Sequence, residues 1–149
     1  LVKNGRPIYG VIYLPTKKEI FYTLNKSAYS SKINSKDQYQ SKKKIKIKNR
    51  KKLEDRILLL SRSHSRNIEL SKKHFRTNKA KFSGSSIKFC LIANGIGNIY
   101  PRLGPTMEWD TAAGHAILNA AGGSVKTLER KVLRYGKRGF KNPSFIARS

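Results

Sequence analysis

The sequence predicts an α/β domain. Three observations carry this: β-branched and aromatic runs alternate with helix-forming runs, Gly, Pro and Asn separate them, and no segment repeats another. Such alternation suits strands and helices stacked as a layered sandwich.

The elements follow in order. Residues 8–14 read IYGVIYL, PTKKE turns the chain, and IFYTL at 20–24 resumes the pattern, which predicts a hairpin. Residues 25–52 are rich in Ser, Lys, Asn and Gln with few apolar anchors and read as a long basic loop; 25–56 as a whole is taken as an insertion. ILLL at 57–60 predicts a short buried strand running into the polar turn SRSH, with Ser65 placed to cap a helix over 66–75. GSSIKFCLIANG at 84–95 predicts a second helix, with Ile87 and Leu91 on one row, Cys90 and Ala93 on the next, and a stop at Asn94 and Gly95. NIYPRL at 98–103 is strand-like and broken by Pro101. After residue 123, SVKTL, VLRY and SFIA are short strand candidates between basic turns.

Between these lies EWDTAAGHAILNAAGG at 108–123, a run of small helix formers ending in Gly122 and Gly123, with Thr106 as N-cap after Pro105. A helix of about four turns is expected. Trp109, Ala112, Ala113, Ala116, Ile117 and Ala120 fall on one stripe, read as core that lets other backbone come close. Asp110 stands beside that stripe, at the fourth helical position if Thr106 caps, near the positive end of the helix dipole. Two readings stay open there: a carboxylate holding a hard cation such as magnesium, or one that favours the helix start and faces water.

Length and composition narrow the class. The 149 residues suit one domain with its own core. The single cysteine, Cys90, excludes an internal disulfide framework, and no Cys and His cluster offers a zinc-type site; a reducing cytoplasm is expected. No apolar run approaches the roughly 20 residues of a membrane helix, and the opening lacks the pattern of a secretion signal. The chain opens on Leu1 and its one methionine is Met107, so it reads as a piece of a longer chain. Thirty-three Lys and Arg against eight Asp and Glu give a formal charge of +25, which attracts polyanions or multiply phosphorylated substrates. KKKIKIKNRKK at 42–52 reads first as a solvated linker and second as a nucleic-acid or membrane-surface patch, because no aromatic residue interrupts it for base stacking.

The strand ending in SRSH, the helix opening GSSIK, YPRLGP and WDTAAGHAILNAAGG together resemble the inositol monophosphatase-like superfamily of magnesium phosphatases. Within it, SRSH, GSSIKFC and YPRLGPTMEWDTAAGHA look like the 3'(2'),5'-bisphosphate nucleotidases of the CysQ type. The resemblance covers most of 1–24 and 57–149. It implies the C-terminal part of the layered αβαβα sugar-phosphatase fold without its N-terminal half: residues 1–24 as a hairpin from the end of the N-terminal sheet, 57–149 as the C-terminal phosphatase domain. It also implies a reaction, removal of the 3'-phosphate from adenosine 3',5'-bisphosphate by water activated with magnesium ions, giving AMP and phosphate. On that likeness Asp110 is the metal-binding and catalytic aspartate that also approaches the substrate, Lys88 faces the second phosphate, with an exposed surface lysine of the helix as its alternative, and Ser61 and His64 touch the nucleotide, with satisfied turn residues as theirs. Arg102 is open between phosphate steering and a solvated loop position, and Trp109 and Cys90 are read as core. A cytoplasmic enzyme is implied, with peripheral association at the inner membrane as the variant.

The departure from the pattern matters as much. The family's other metal ligands come from a Glu-Glu stretch and an Asp-Pro-x-Asp-Gly-Thr loop, and neither occurs in this sequence. The expectation is therefore a fragment that is inactive until its N-terminal half is supplied, exposing an apolar face and a strand edge. Two alternatives remain: a decayed remnant, or a basic nucleic-acid-binding protein on a phosphatase scaffold.

Overall fold

The computed structural model describes residues 1–36, 38–47, 52–61, 68–84 and 86–149. Two short strands, β1 (Val2–Lys3) and β2 (Arg6–Pro7), pair across an Asn4-Gly5 turn whose residues both have positive φ, the conformation such a two-residue turn needs. The expected hairpin follows as β3 (Val11–Leu14) and β4 (Glu19–Leu24), antiparallel, with Ile12 opposite Phe21.

The stretch read as a basic loop instead carries two more strands, β5 (Ser27–Ile33) and β6 (Tyr39–Ile45). They complete a four-stranded antiparallel meander in the order β3-β4-β5-β6. The turn between β4 and β5 is Asn25-Lys26, again with φ positive at both residues, and it is the local signal that residue composition hid. Lysine has little strand propensity, but β6 is an edge strand with Lys42, Lys43 and Lys44 all exposed, and edge lysines discourage pairing with other chains.

The second sheet has five strands. ILLL forms β7 (Ile57–Leu60); α1 (Ile68–Phe75) and β8 (Lys79–Phe82) follow, then α2 (Ile87–Ala93) and β9 (Ile99–Arg102). Ser65, the expected cap of α1, lies outside the described residues. A two-residue strand β10 (Thr106–Met107), a 3-10 turn over Glu108–Asp110 and helix α3 (Ala112–Ala120) come next, then β11 (Ser124–Thr127), β12 (Lys141–Asn142) and β13 (Phe145–Arg148). The order is β11-β13-β9-β7-β8, with β7 parallel to β8 and β9 and the other pairs antiparallel; β10 pairs with β12 separately. VLRY is not a strand: only Val132 bridges to Lys126.

Helices α2 and α3 lie between the two sheets. Phe21, Ala28 and Ile45 from the first sheet, Phe89, Cys90 and Ile92 from α2, Ile117 and Leu118 from α3, and Leu59, Tyr100, Val125 and Phe145 from the second sheet make one buried cluster. Two glycines explain why the α3 segment is so poor in bulk: a Cβ on Gly114 would sit 2.5 Å from the Phe89 ring, and one on Gly10 only 2.2 Å from the Ala113 carbonyl oxygen. The stripe is shifted from expectation, however. Thr111 stands at the helix start rather than Thr106, α3 has nine residues rather than four turns, and Gly114 to Leu118 are buried. Trp109 falls in the 3-10 turn, outside the helical rows, and is 67% exposed against Phe140 rather than core. Cys90 is buried, as expected.

The outer face of the meander is open. In strand register, Val11, Tyr13, Ile20, Tyr22, Leu24 and Tyr29 point away from α2 and α3, and Val11, Tyr13 and Leu24 are exposed. The expected exposed apolar face is thus present, edged by β3 and β6.

Candidate active site

Parallel strands gather their C-terminal ends, and the loops that leave those ends are where α/β sheets bind ligands. Here β7, β8 and β9 run together; Ser61 and Ser83 stand just beyond β7 and β8, and Arg102 ends β9. The Ser83 amide donates to the Leu60 carbonyl at 3.0 Å, tying the β8 exit to the β7 exit. Helix α2 then starts four residues beyond Ser83.

Lys88, in the first turn of α2, is 1% exposed. Its ammonium donates to the Ser83 carbonyl at 3.0 Å and lies 4.6 Å from the centroid of the Tyr100 ring. Burial, and after it the charge of Arg102, lowers its pKa from 10.5 to about 8. The surface-lysine alternative is thereby removed: holding an ammonium out of water is costly, and such groups gather at functional sites. Arg102, half-buried at the end of β9, donates from Nη2 to the Pro105 carbonyl at 2.9 Å, while its buried Nε has no partner among the described residues.

Asp110 is exposed and ends the 3-10 turn, so it does not occupy the fourth position of α3; its Oδ2 accepts the Met107 amide at 3.1 Å. The carboxylate reaches the same region electrostatically. Tyr100's phenol is pushed up by burial, with Arg102 acting to lower it and Asp110 to raise it. Arg102 thus acts on both Lys88 and Tyr100, and Asp110 acts on Tyr100. Ser61 is half-buried directly after β7, on the strand exit beside Ser83. His64 lies outside the described residues.

The turn carrying Asp110 is held by residues far away in sequence. The Glu108 carboxylate, 7% exposed, accepts the Gly136 amide at 2.7 Å, the Lys137 amide at 3.1 Å and the Lys137 ammonium. Burial works to raise its pKa, but these hydrogen bonds outweigh it and hold the carboxyl below its usual range. Asn142 donates to the Thr106 hydroxyl, the Met107 carbonyl and the Thr111 hydroxyl at 3.2, 3.0 and 2.9 Å. Tyr135 donates to the same Thr111 hydroxyl at 3.3 Å and meets His115 Nδ1 at 3.0 Å. Apart from Thr106, read as a cap, sequence reading singled out none of these residues, because no local pattern marks partners some 20 to 36 positions apart.

No three or more His, Cys, Asp or Glu side chains converge among the described residues. Asp110 offers an exposed hard-oxygen donor, which fits magnesium as one ligand of a set that other donors must complete. No helix among the described residues is long and apolar enough to cross a membrane.

The two sheets with helices layered between them are those of a sugar-phosphatase-like fold. The inositol monophosphatase family model matches residues 1–149, and the chain belongs to that family. Among its relatives is the 3'(2'),5'-bisphosphate nucleotidase CysQ of Buchnera aphidicola, 43% identical over 136 residues, covering 91% of this chain and 48% of that one. CysQ of Salmonella typhimurium is 37% identical over 148 residues, covering 97% and 56%. The crystal structure of CysQ from Bacteroides thetaiotaomicron, a bacterial member of the same family, superposes with a TM-score of 0.81 at 36% identity, over 99% of this chain and 60% of that one. The chain spans about half the length of the curated relatives it matches.

Proposed function

We propose that this chain supplies the nucleotide-facing half of a magnesium-dependent 3'(2'),5'-bisphosphate nucleotidase acting in the cytoplasm on adenosine 3',5'-bisphosphate. A water oxygen attacks the 3'-phosphorus, the P–O3' bond breaks, and the 3'-oxygen leaves with a proton as the hydroxyl of AMP, releasing phosphate. Magnesium, when bound, would supply Lewis-acid polarisation of the phosphoryl oxygens and a lowered pKa for the attacking water. Asp110 would be one of its ligands. On the family likeness Lys88 would supply a fixed cation for a second phosphate, and Ser61 and His64 would touch the nucleotide, Ser61 standing directly after β7.

The observation that supports this reading best is the buried Lys88 ammonium, held over Tyr100 and on the Ser83 carbonyl beside the parallel-strand ends, with Arg102 at the end of β9. Magnesium needs about six oxygens, and the described residues bring one clear donor, so the chain alone is read as inactive. Phosphate release from adenosine 3',5'-bisphosphate in magnesium tests both points. We expect none from the chain alone, turnover when the part of the Buchnera relative that this chain does not span is added, and loss of that turnover in Asp110→Asn. Turnover by the chain alone overturns the missing-donor argument; none in the combination overturns the nucleotidase reading.

A nucleic-acid reading has one observation in its favour. Tyr22 and Tyr29 stack at 5.7 Å on the open face of the meander, and the Lys42 ammonium lies 4.2 Å over Tyr29, so neighbouring strands supply the aromatics that the basic run itself lacks. Salt-sensitive RNA binding lost in Tyr29→Ala and Lys42→Gln supports it; RNA binding unchanged by both removes it.

A further inference from the structure

The five-stranded sheet has two unlike faces. Tyr100, Phe145 and Val125 point to α2 and α3, whereas the alternating Ile99 and Ile146 point the other way. On that second face α1 covers only part of the sheet, Phe75 and Ile68 packing against Leu58, Leu60 and Ile99. Beside α1 the sheet is uncovered, and a cavity of about 960 Å³ opens there. Its apolar lining includes Phe75, Ile99 and Ile146, and Arg56, Arg130 and Arg148 enter it with no side-chain carboxylate among the lining residues.

The arginines are not dispersed on a wet surface. Arg148 Cζ lies 6.0 Å from the centroid of the Phe75 ring, so one guanidinium rests on the aromatic part of the lining. Burial, then the charges of Arg56 and Arg130, lowers its pKa, which is the mark of like charges held together near apolar surface. An anion seated among them relieves that repulsion, and guanidinium forks match phosphate oxygens.

We propose that this cavity binds a small organic phosphate, a phosphomonoester carrying an aromatic or branched aliphatic group. The phosphate meets Arg130 and Arg148, and the apolar group lies on Phe75 and Ile146. The volume falls within the roughly 300–1,000 Å³ of small-molecule sites. The site is separate from the candidate active site, since Tyr100 and Lys88 lie on the opposite face of the sheet, and it stands whether or not the nucleotidase reading does.

Calorimetric titration of the full 149-residue chain with phenyl phosphate, in EDTA at about 0.15 M salt to screen diffuse attraction, tests it. Saturable binding is expected, weakened about tenfold or more in Arg130→Gln and in Arg148→Gln, as loss of a charge-assisted hydrogen bond implies. Lys88→Met should leave it unchanged, and inorganic phosphate and p-cresol should each bind more weakly than phenyl phosphate. Methyl NMR on the unsubstituted chain gives a second readout, with shifts at Ile146 and Leu70. Absence of saturable binding, absence of those methyl shifts, or equal weakening by Lys17→Gln, a distant exposed lysine, overturns the proposal.

Discussion

The Lys88 ammonium lies 4.6 Å from the centroid of the Tyr100 ring and 3.0 Å from the Ser83 carbonyl oxygen, almost wholly shielded from water. Because folding lowers this group from 10.5 to about 8, the unfolded chain binds more protons between those values, and stability rises with pH across that window. Comparing the chain with Lys88→Met by urea denaturation at pH 7.5 and 10 should show the difference moving toward the unsubstituted chain, by about 2 kcal/mol. Nucleotide affinity should move the opposite way, falling above pH 8 as the cation is lost. A difference in stability that does not change with pH would contradict the burial argument.

His115 works with the opposite limb of the pH scale. Burial pushes its pKa from 6.5 down to about 4, so the imidazole is neutral when folded, with Nδ1 beside the Tyr135 hydroxyl and no partner for Nε2 among the described residues. The unfolded chain takes up the proton first, and stability present above pH 6.5 is lost as pH falls toward 4. Denaturation of the chain and of His115→Phe at pH 7.5 and 4.5 should show that the variant escapes this loss. Parallel acid sensitivity in both would place its origin elsewhere.

Glu108 anchors the turn that presents Asp110. Glu108→Gln removes the charge that accepts two amides and the Lys137 ammonium, and about 2–3 kcal/mol of stability should go with it. Since the folded carboxyl titrates below its usual range, its contribution is present above that range and fades as pH falls through the lowered value. Thermal melts of the two proteins at pH 7 and pH 3 should therefore converge at the acid end. A variant as stable as the parent at pH 7 would show that the ion pair adds nothing.

Gly10→Ala and Gly114→Ala should both destabilise, in that order of severity. The Gly114 methyl meets a ring that can shift, at the roughly 1–3 kcal/mol typical of overpacking, whereas the Gly10 methyl meets the Ala113 backbone, which cannot turn aside. Chemical denaturation of both ranks them, and the reverse order would argue against tight contact between the first sheet and α3.

The open meander face should make the chain aggregation-prone and its melting weakly cooperative. Val11→Thr with Leu24→Thr reduces exposed apolar surface and should raise the soluble fraction, read by light scattering, with little change in core stability. A sharp single transition from a monodisperse unsubstituted chain would count against this.

The hairpin at 11–24, the strand ILLL and the helix within GSSIKFCLIANG were legible because each buries a face whose residue spacing survives in one dimension. Strands β5 and β6 were not. Their lysines disfavour a strand in isolation, and only pairing with β4 and the two-residue Asn25-Lys26 turn makes them one. The candidate site divides in the same way. Asp110 and Lys88 stand out in their motifs, but whether Lys88 is surface or site depended on the Tyr100 ring that covers it.

The sequence by itself determined the layered α/β class, the family likeness carried by SRSH, GSSIK and WDTAAGHA, and the choice of small residues where backbone meets backbone. Only the tertiary structure decided that Trp109 faces out, that Asp110 closes a 3-10 turn instead of riding on α3, and that Glu108, Lys137 and Asn142 hold that turn. The physical reason is range. Periodicity and turn chemistry act over a few residues and are written in the chain, whereas desolvation and hydrogen bonding depend on neighbours that arrive from distant positions only after folding.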